Sequence, residues 1–180
     1  TDGAAGPLPW TFAAPPTTVE RYDERQLDAL RGGELIECFG TEYGHVPHEA
    51  YVPLPGDRMR LVHRITHLDG HGGRFGAGLV IGEADIAGDE WFLTCHFLDD
   101  EVMPGTLMYE CCLHTFRAFL LRYGWTGCVS TPHGDHGAVS DGSLRFEPIP
   151  GVTSRLRCRG QVTEATARVQ YEIHVKSVGY

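Results

Sequence analysis

The sequence predicts an α+β domain built from one long apolar helix and several antiparallel strands. Residues 107–122 contain no Gly or Pro, and apolar side chains recur there at helical spacing. Residues 58–65 alternate with a period of two, which is typical of a strand. Further strand-like runs follow the long helix. Because the strands cluster before and after one helix, we expect an α+β fold rather than a parallel α/β fold.

The N-terminal part of the chain is predicted to be a linker followed by a single domain. Residues 1–19 are rich in Pro, Ala, Gly and Thr, which is typical of a linker or an extended arm. Residues 20–31 carry apolar side chains among charges, which predicts a short amphipathic helix ended by two glycines. Residues 34–57 contain three prolines and are predicted to be irregular. We expect residues 20–180 to form one domain, and a chain that begins with Thr suggests a fragment of a longer multidomain protein.

Two strands joined by a tight turn are predicted next. The first is the alternating run at residues 58–65, and the turn is the sequence DGHGG at residues 69–73. The second strand is predicted over residues 75–86. It contains three glycines that predict bends or a close approach of another part of the chain: Gly76, Gly78 and Gly82.

The centre of the chain combines a histidine-bearing loop with the long helix. Residues 91–93 form an apolar, aromatic run that suits the end of a strand, and His96 follows in a loop. Residues 103–105, Met-Pro-Gly, break regular structure. Thr106 is predicted to cap the helix that runs over residues 107–122.

The last part of the chain is predicted to be a loop and three strands. Residues 124–142 are Gly-rich and form the predicted loop. The strands are predicted over Ser143–Pro148, Thr153–Thr163 and Ala167–Val178.

Composition excludes several classes of function. The formal net charge of −9 argues against nucleic acid as a partner. No apolar run approaches the roughly 20 residues that span a bilayer, so we expect no membrane segment. No signal peptide is visible, and a cytoplasmic protein with reduced thiols is expected. The six cysteines contain no C-x-x-C pair: Cys38, Cys95, Cys111, Cys112, Cys128 and Cys158.

The helix carries two polar side chains on a largely apolar face. Glu110 and His114 are four residues apart, so both project from the same side of the helix. A carboxyl group in an apolar wall tends to have a raised pKa and can then donate a proton. Glu110 is therefore a candidate general acid, with His114 as its orienting partner.

His96 and Gly105 supply the other parts of a candidate site. His96 is a candidate general base. Gly105 lies where the helix begins, and the free amide N–H groups of a helix N-terminus favour negative charge. A base, an acid and an oxyanion site are the parts needed to remove an α-proton and expel a β-hydroxyl from an acyl thioester.

These residues carry a family resemblance. The string CHFLDDEVMPGTLMYECCLH resembles the active-site segment of the bacterial 3-hydroxydecanoyl-ACP dehydratase/isomerase (FabA-like) family, and more closely the dehydratase domains of polyunsaturated fatty acid synthases and polyketide-like megasynthases. The family pattern is a His, then V-M-P-G, then an Asp fourteen positions after the His and a Gln four later. Here the His is His96 and the run ends at Gly105. Glu110 replaces the Asp and His114 replaces the Gln.

The resemblance, which covers roughly residues 22–178, implies a fold, a reaction and partners. The implied fold is the hotdog, a curved antiparallel sheet wrapped about the long helix, with further strands in most relatives. The implied reaction is loss of water from a 3-hydroxyacyl group carried by an acyl carrier protein, with no cofactor and, in some relatives, double-bond isomerisation. The implied catalytic residues are His96, Glu110 and Gly105, with His114, Cys95 and Pro104 binding or orienting the substrate. The base and the acid of one site are expected from two hotdog units, in a homodimer or in tandem domains.

Alternatives remain open. An inactive hotdog scaffold is one, since Glu replaces Asp, and a hotdog acyl thioesterase is another. A metal site is not expected, because the remaining histidines lack ligand partners at a familiar spacing; the pairs considered are His67 with His71 and His133 with His136. Docking of an acidic carrier protein would need a basic patch, for which the candidates are Arg58, Arg60, Arg64, Arg117 and Arg122.

Overall fold

A computed structural model describes residues 18–45, 51–96, 99–123, 151, 157 and 159–177. A four-stranded antiparallel sheet, ordered β1-β2-β3-β4, lies against one long helix, which confirms the predicted α+β class. The strands are β1 (Glu20–Tyr22), β2 (Arg64–Asp69), β3 (Leu79–Asp85) and β4 (Arg168–His174). The α-helices are α1 (Glu24–Gly32), α2 (Leu35–Phe39), α3 (Trp91–Cys95) and α4 (Gly105–Arg122).

The long helix α4 packs on the sheet through glycines, as the sequence predicted for two of them. A Cβ atom added to Gly82 would lie 2.2 Å from Thr115 Oγ1, and one added to Gly78 would lie 2.6 Å from the Phe119 ring. Both partners are buried side chains of α4. Gly82 in β3 and Gly78, just before it, therefore let the helix approach the sheet more closely than a side chain at either position would permit.

The predicted amphipathic helix forms as α1, but it begins later than expected. Asp23 caps it, since the Asp23 side chain accepts from the Gln26 N–H at 2.9 Å and the Gln26 side chain accepts from the Asp23 N–H at 3.0 Å. Gly33 ends it in a left-handed conformation (φ 80°). Residues 20–22 pair with β2 instead of joining the helix.

The prediction of an irregular segment at residues 34–57 is wrong in part. Leu35, Cys38 and Phe39 are buried on one side of α2. Among the residues described there, 3₁₀ helices follow at Thr41–His45 and Asp57–Met59. The three apolar residues of α2 stand at i, i+3 and i+4, which is helical spacing. The pattern was missed because the helix is only five residues long.

The strand predicted at residues 58–65 is displaced toward the C-terminus. The observed strand β2 begins at Arg64, because Leu61 and Val62 are neighbours and both buried, which an alternating strand does not allow. The following strand, β3, is shorter than the predicted 75–86. The residues between β2 and β3 form the connection, which includes the predicted turn.

Among the described residues, one of the three predicted C-terminal strands is confirmed. The strand β4 falls inside the predicted range 167–178. In the predicted strand 153–163, residues 153–156 and 158 lie outside the described residues. Thr163 makes an isolated bridge to Val102, and residues 159–162 are not in a strand. The predicted strand 143–148 and the loop 124–142 lie outside the described residues, as do residues 1–17. Within the described ranges, no helix is long and apolar enough to cross a bilayer.

Candidate active site

His96 lies at the end of a short helix, whereas the sequence predicted the end of a strand at residues 91–93. The helix α3 buries Phe92 and Leu93 and is followed by His96 at its C-cap. A short apolar run fits a strand or a helical turn equally well, so periodicity could not separate the two. The histidine is nevertheless placed as expected, between this element and α4.

The backbone fixes the tautomer of the His96 ring. His96 Nδ1 lies 2.9 Å from the carbonyl oxygen of Val102. A carbonyl can only accept, so Nδ1 carries the proton and donates it. In the neutral ring the lone pair is then on Nε2, which is the nitrogen that a general base needs.

The segment between His96 and α4 is attached to the rest of the domain. Val102 forms a bridge with Thr163, and the Met103 N–H donates to the Val162 carbonyl at 2.8 Å. Met103 is 3% exposed and belongs to the core. The carbonyl that orients His96 is therefore held by the same bridge that holds the corner before α4.

The helix α4 begins at Gly105, and its N-cap is Pro104 rather than the predicted Thr106. The Pro104 carbonyl accepts from the N–H groups of Leu107 (3.0 Å) and Met108 (3.1 Å), and no side chain caps the helix. The first amide groups of a helix, here those of Gly105 and Thr106, have no acceptor within the helix. Together with the helix dipole they make this corner suited to a developing negative charge.

Glu110 and His114 face each other, as their spacing predicted. Glu110 Oε2 lies 3.8 Å from His114 Nε2, which is too long for a hydrogen bond. The His114 side chain is 4% exposed and that of Glu110 is 43% exposed. Within a single chain, the prediction that Glu110 is buried in an apolar wall is therefore wrong. The Glu110 side chain lies at the rim of the domain, whereas the His114 side chain lies inside it.

His114 is uncharged at neutral pH. Burial lowers its pKa from 6.5 to about 4, and the cations of Arg117 and Arg31 act in the same direction. The contact with Glu110 is therefore between a carboxyl group and a neutral imidazole, although its distance would qualify it as an ion pair if the ring were protonated. A neutral imidazole can still donate one hydrogen bond, as the amide of Gln does.

The cysteines near the site differ in how exposed they are to solvent. Cys95 is exposed beside His96, and its Sγ lies 3.9 Å from the Phe92 carbonyl oxygen. Cys111 is fully buried, and burial raises the pKa of its thiol to about 12. Burial also raises the pKa of the Cys112 thiol. Neither thiol of the helix is therefore activated as a nucleophile.

Most of the arginines predicted to form a basic patch are engaged within the domain. Arg60 pairs with Glu24 (2.8 Å) and Asp28 (2.7 Å). Arg64 pairs with two carboxylates of β3, at 2.5 Å each. Arg117 donates to the Pro53 carbonyl at 3.2 Å.

Arg122 is the most buried of these arginines. Its guanidinium donates to both carboxylate oxygens of Glu20 at 2.7 Å and to the hydroxyl of Tyr43 at 2.6 Å. It is 9% exposed. Arg122 therefore connects the end of α4 to β1 instead of facing a partner.

The cavity next to α3 is too small for an acyl chain. It measures about 80 Å³ and has Trp91, Phe92 and Met103 in its wall. Pockets that enclose drug-sized ligands measure roughly 300–1,000 Å³. Among the described residues, no group of three or more His, Cys, Asp or Glu is arranged to hold a metal ion.

Comparison with known proteins agrees with this geometry. The sequence model of the FabA-like domain family matches residues 54–180. The chain is also 29% identical over 157 residues to a polyunsaturated fatty acid synthase polypeptide of Thraustochytrium sp. (strain ATCC 26185 / S-3). That alignment covers 87% of this chain but only 10% of the relative, so the chain spans about a tenth of the length of that protein.

The family match covers well over half of the chain and includes His96, the Pro104-Gly105 corner and the whole of α4. The antiparallel sheet against one long helix agrees with the fold that the resemblance implied. The chain therefore belongs to the FabA-like family of dehydratases and has its hotdog fold.

Proposed function

We propose that this domain removes water from a 3-hydroxyacyl thioester to give a 2-enoyl thioester, with the acyl group presented on the phosphopantetheine arm of an acyl carrier protein. The observation that carries the proposal is the bond from His96 Nδ1 to the Val102 carbonyl, because it leaves the lone pair of the ring on Nε2. The name of the Thraustochytrium relative supports fatty acid synthesis as the setting. No cofactor is required by this chemistry.

In the first half of the reaction, His96 Nε2 takes the proton from the α-carbon of the substrate. The electron pair of that C–H bond moves toward the thioester carbonyl, whose oxygen gains negative charge. The N–H of Gly105 at the start of α4 donates to this oxygen, and the positive end of the helix dipole adds to the stabilisation.

In the second half, the Glu110 carboxyl gives its proton to the β-hydroxyl group. The C–O bond breaks, water leaves, and the double bond forms between the α- and β-carbons. His96 is then protonated and Glu110 is ionised, so one proton must pass from the ring to the carboxylate, through solvent, before the next turnover. The same His96 could shift the double bond by moving a second proton, and analysis of the product would detect this isomerisation.

The proposal includes a second hotdog unit at the site. The Glu110 side chain is 43% exposed in one chain, and a general acid that works near neutral pH needs desolvation to keep its proton. His96 Nδ1 is bonded to the Val102 carbonyl, and Glu110 lies near His114 on α4. A second copy of the chain would cover Glu110 and bring His96 to it.

The test is the rate of dehydration of a 3-hydroxyacyl pantetheine thioester by His96→Ala and Glu110→Gln, followed by the absorbance of the conjugated product. We expect a loss of about 10²–10⁴-fold in kcat for each. The matched controls are His71→Ala and Glu101→Gln, which change exposed loop residues and should leave kcat within about twofold. Near wild-type turnover by His96→Ala or Glu110→Gln would refute the assigned role.

An inactive scaffold is the second candidate, and the exposure of Glu110 favours it. A scaffold would bind an acyl carrier protein without releasing water from any 3-hydroxyacyl group. A thioesterase would instead release free thiol in the same assay. A panel of 3-hydroxyacyl carrier-protein substrates, analysed by mass spectrometry, separates the three outcomes and reports the preferred chain length.

A further inference from the structure

The turn that precedes β2 contains a strained residue that the proposed reaction does not use. Asp57 has a φ of 48° and is, among the described residues, the one non-glycine residue with a positive φ. It opens the 3₁₀ helix Asp57–Met59, which buries no side chain of its own. A left-handed conformation is costly for a residue with a side chain, and such outliers cluster where a functional site is held in place. The contacts of the turn backbone should therefore account for the strain.

The backbone of this turn holds the helix that leads to His96. The Trp91 indole N–H donates to the Arg58 carbonyl oxygen at 2.9 Å. Trp91 is the first residue of α3, and His96 is the residue at the C-cap of that helix. Five residues of helix rise only about 7 Å, so a displacement of Trp91 is passed on to His96.

Packing alone does not fix α3 on the side of this turn. A cavity of about 80 Å³ is lined by Asp57 and Arg58 from the turn and by Trp91 and Phe92 from α3. Side chains that face such a space lack part of the contacts that hold a well-packed core. The hydrogen bond from Trp91 to the Arg58 carbonyl therefore restrains α3 where contacts between side chains are missing.

The His96 ring joins two segments that are held separately. Its Nδ1 donates to the Val102 carbonyl at 2.9 Å, and the bridge to Thr163 holds Val102. The other segment is α3, which is held at its start by Trp91. If α3 moves relative to Val102, the bond from Nδ1 weakens, and the tautomer with its lone pair on Nε2 loses its support.

We propose that Trp91 is a positioning residue for His96, and that the strained turn at Asp57–Met59 holds Trp91 through the Arg58 carbonyl. The catalytic part of this inference rests on the proposed function, in which His96 Nε2 takes the α-proton. The structural part does not, since it concerns only the orientation of the His96 ring. Trp91 touches no reacting atom in this scheme and acts through α3.

The first test is Trp91→Phe, which removes the N–H donor but retains an aromatic ring. The readout is the ¹⁵N NMR spectrum of the His96 ring in the full chain, assigned with His96→Ala, because it reports which ring nitrogen carries the proton. We expect the fraction of the Nδ1–H tautomer to fall by about a third or more. The control is Tyr51→Phe, which removes a buried hydroxyl that donates to the Gly33 carbonyl and should leave the ring spectrum unchanged.

The second readout is turnover of the 3-hydroxyacyl thioester. A misplaced general base lowers the rate with little loss of binding, so kcat of Trp91→Phe should fall about tenfold or more, with KM within about twofold. Tyr51→Phe should keep kcat within about twofold, although its urea midpoint should fall at least as far because it loses a buried hydrogen bond. Loss of stability alone would therefore not reproduce the effect of Trp91→Phe.

Two variants of Asp57 test the turn from the other side. Glycine adopts a positive φ readily, whereas a β-branched residue does not. Asp57→Gly should therefore retain the wild-type spectrum of the His96 ring, and Asp57→Val should change it as Trp91→Phe does. In the Trp91→Phe background Asp57→Val should have little further effect, because the contact it disturbs is already lost. The Asp57 pair also decides the question if Trp91→Phe does not fold.

Three results would overturn the inference. One is a His96 ring spectrum in Trp91→Phe that matches wild type, and another is an equal change in Tyr51→Phe. The third is a kcat of Trp91→Phe within about twofold of an active wild-type chain. If the wild-type chain does not dehydrate any substrate, the proposed function fails, while the ring spectrum still decides whether Trp91 orients His96.

Discussion

The close packing of α4 on the sheet predicts that Gly82→Ala strongly destabilises the domain. The new methyl group would lie 2.2 Å from Thr115 Oγ1, 2.9 Å from its Cγ2 and 3.1 Å from its Cβ. Thr115 cannot easily turn away, because its hydroxyl donates to the Cys111 carbonyl at 2.8 Å and the residue is fully buried. Gly82 pairs with Ile65 on one side and Tyr171 on the other, so the backbone of β3 is also held.

The magnitude follows from the cost of overpacking. Inserting a methyl group into a well-packed core costs about 1–3 kcal/mol, and the backbone constraint places this site near the upper end. For a domain of this size each kcal/mol corresponds to about 2–4 °C in Tm, so we expect a decrease of about 5–10 °C. Thermal unfolding followed by circular dichroism measures it.

Two further variants make the test specific. Thr115→Ala in the Gly82→Ala background removes Oγ1 and Cγ2 and should recover part of the lost stability, which a thermodynamic cycle quantifies. Gly56→Ala is the control, because an added Cβ there meets nothing within 4 Å and φ is −108°. If Gly82→Ala unfolds within about 1 °C of wild type, the close approach of helix and sheet is contradicted.

Two other predictions concern buried polar groups. The His114 pKa is about 4 in the folded chain and 6.5 when the ring is in water, so the unfolded chain binds more protons between pH 4 and pH 6.5. The contribution of His114 to the free energy of unfolding should therefore be complete above pH 6.5. It should fall by about 3 kcal/mol as the pH is lowered toward 4. In urea titrations His114→Gln should reduce this slope, and an unchanged slope would contradict the buried neutral ring. Arg122→Met should cost about 3 kcal/mol, because it leaves Glu20 without its bidentate partner inside the domain. The exposed Arg25→Met is its control, and equal urea midpoints for the two variants would show that the Arg122 pairing does not stabilise the fold.

The parts of the fold that were predictable have strong local signals. The helix α4 is long and uninterrupted, and the observed helix extends the predicted range by only two residues at its N-terminus. The capping residues of α1 and its terminal glycines also act locally. Glu110 and His114 could be paired from the sequence because i, i+4 neighbours on a helix always share a face.

The parts that were missed depend on distant partners or on very short runs. The strand β1 is only three residues long and exists because it pairs with β2, more than 40 positions away. Arg122 resembles an exposed residue at a helix end, yet its partner Glu20 is 102 positions away in the sequence. The exposure of Glu110 could not be foreseen either, since the apolar helix face suggested burial but did not show where that face would open to solvent.

The central claim is that the base and the acid of one site come from two copies of this chain. It is tested by mixing two inactive variants, His96→Ala and Glu110→Gln, under conditions where differently tagged chains are shown to exchange. A mixed dimer then holds one site with both His96 and Glu110 intact, and random pairing predicts recovery of about a quarter of wild-type dehydration. A mixture that remains as inactive as its two components, although mixed dimers are present, would contradict the claim.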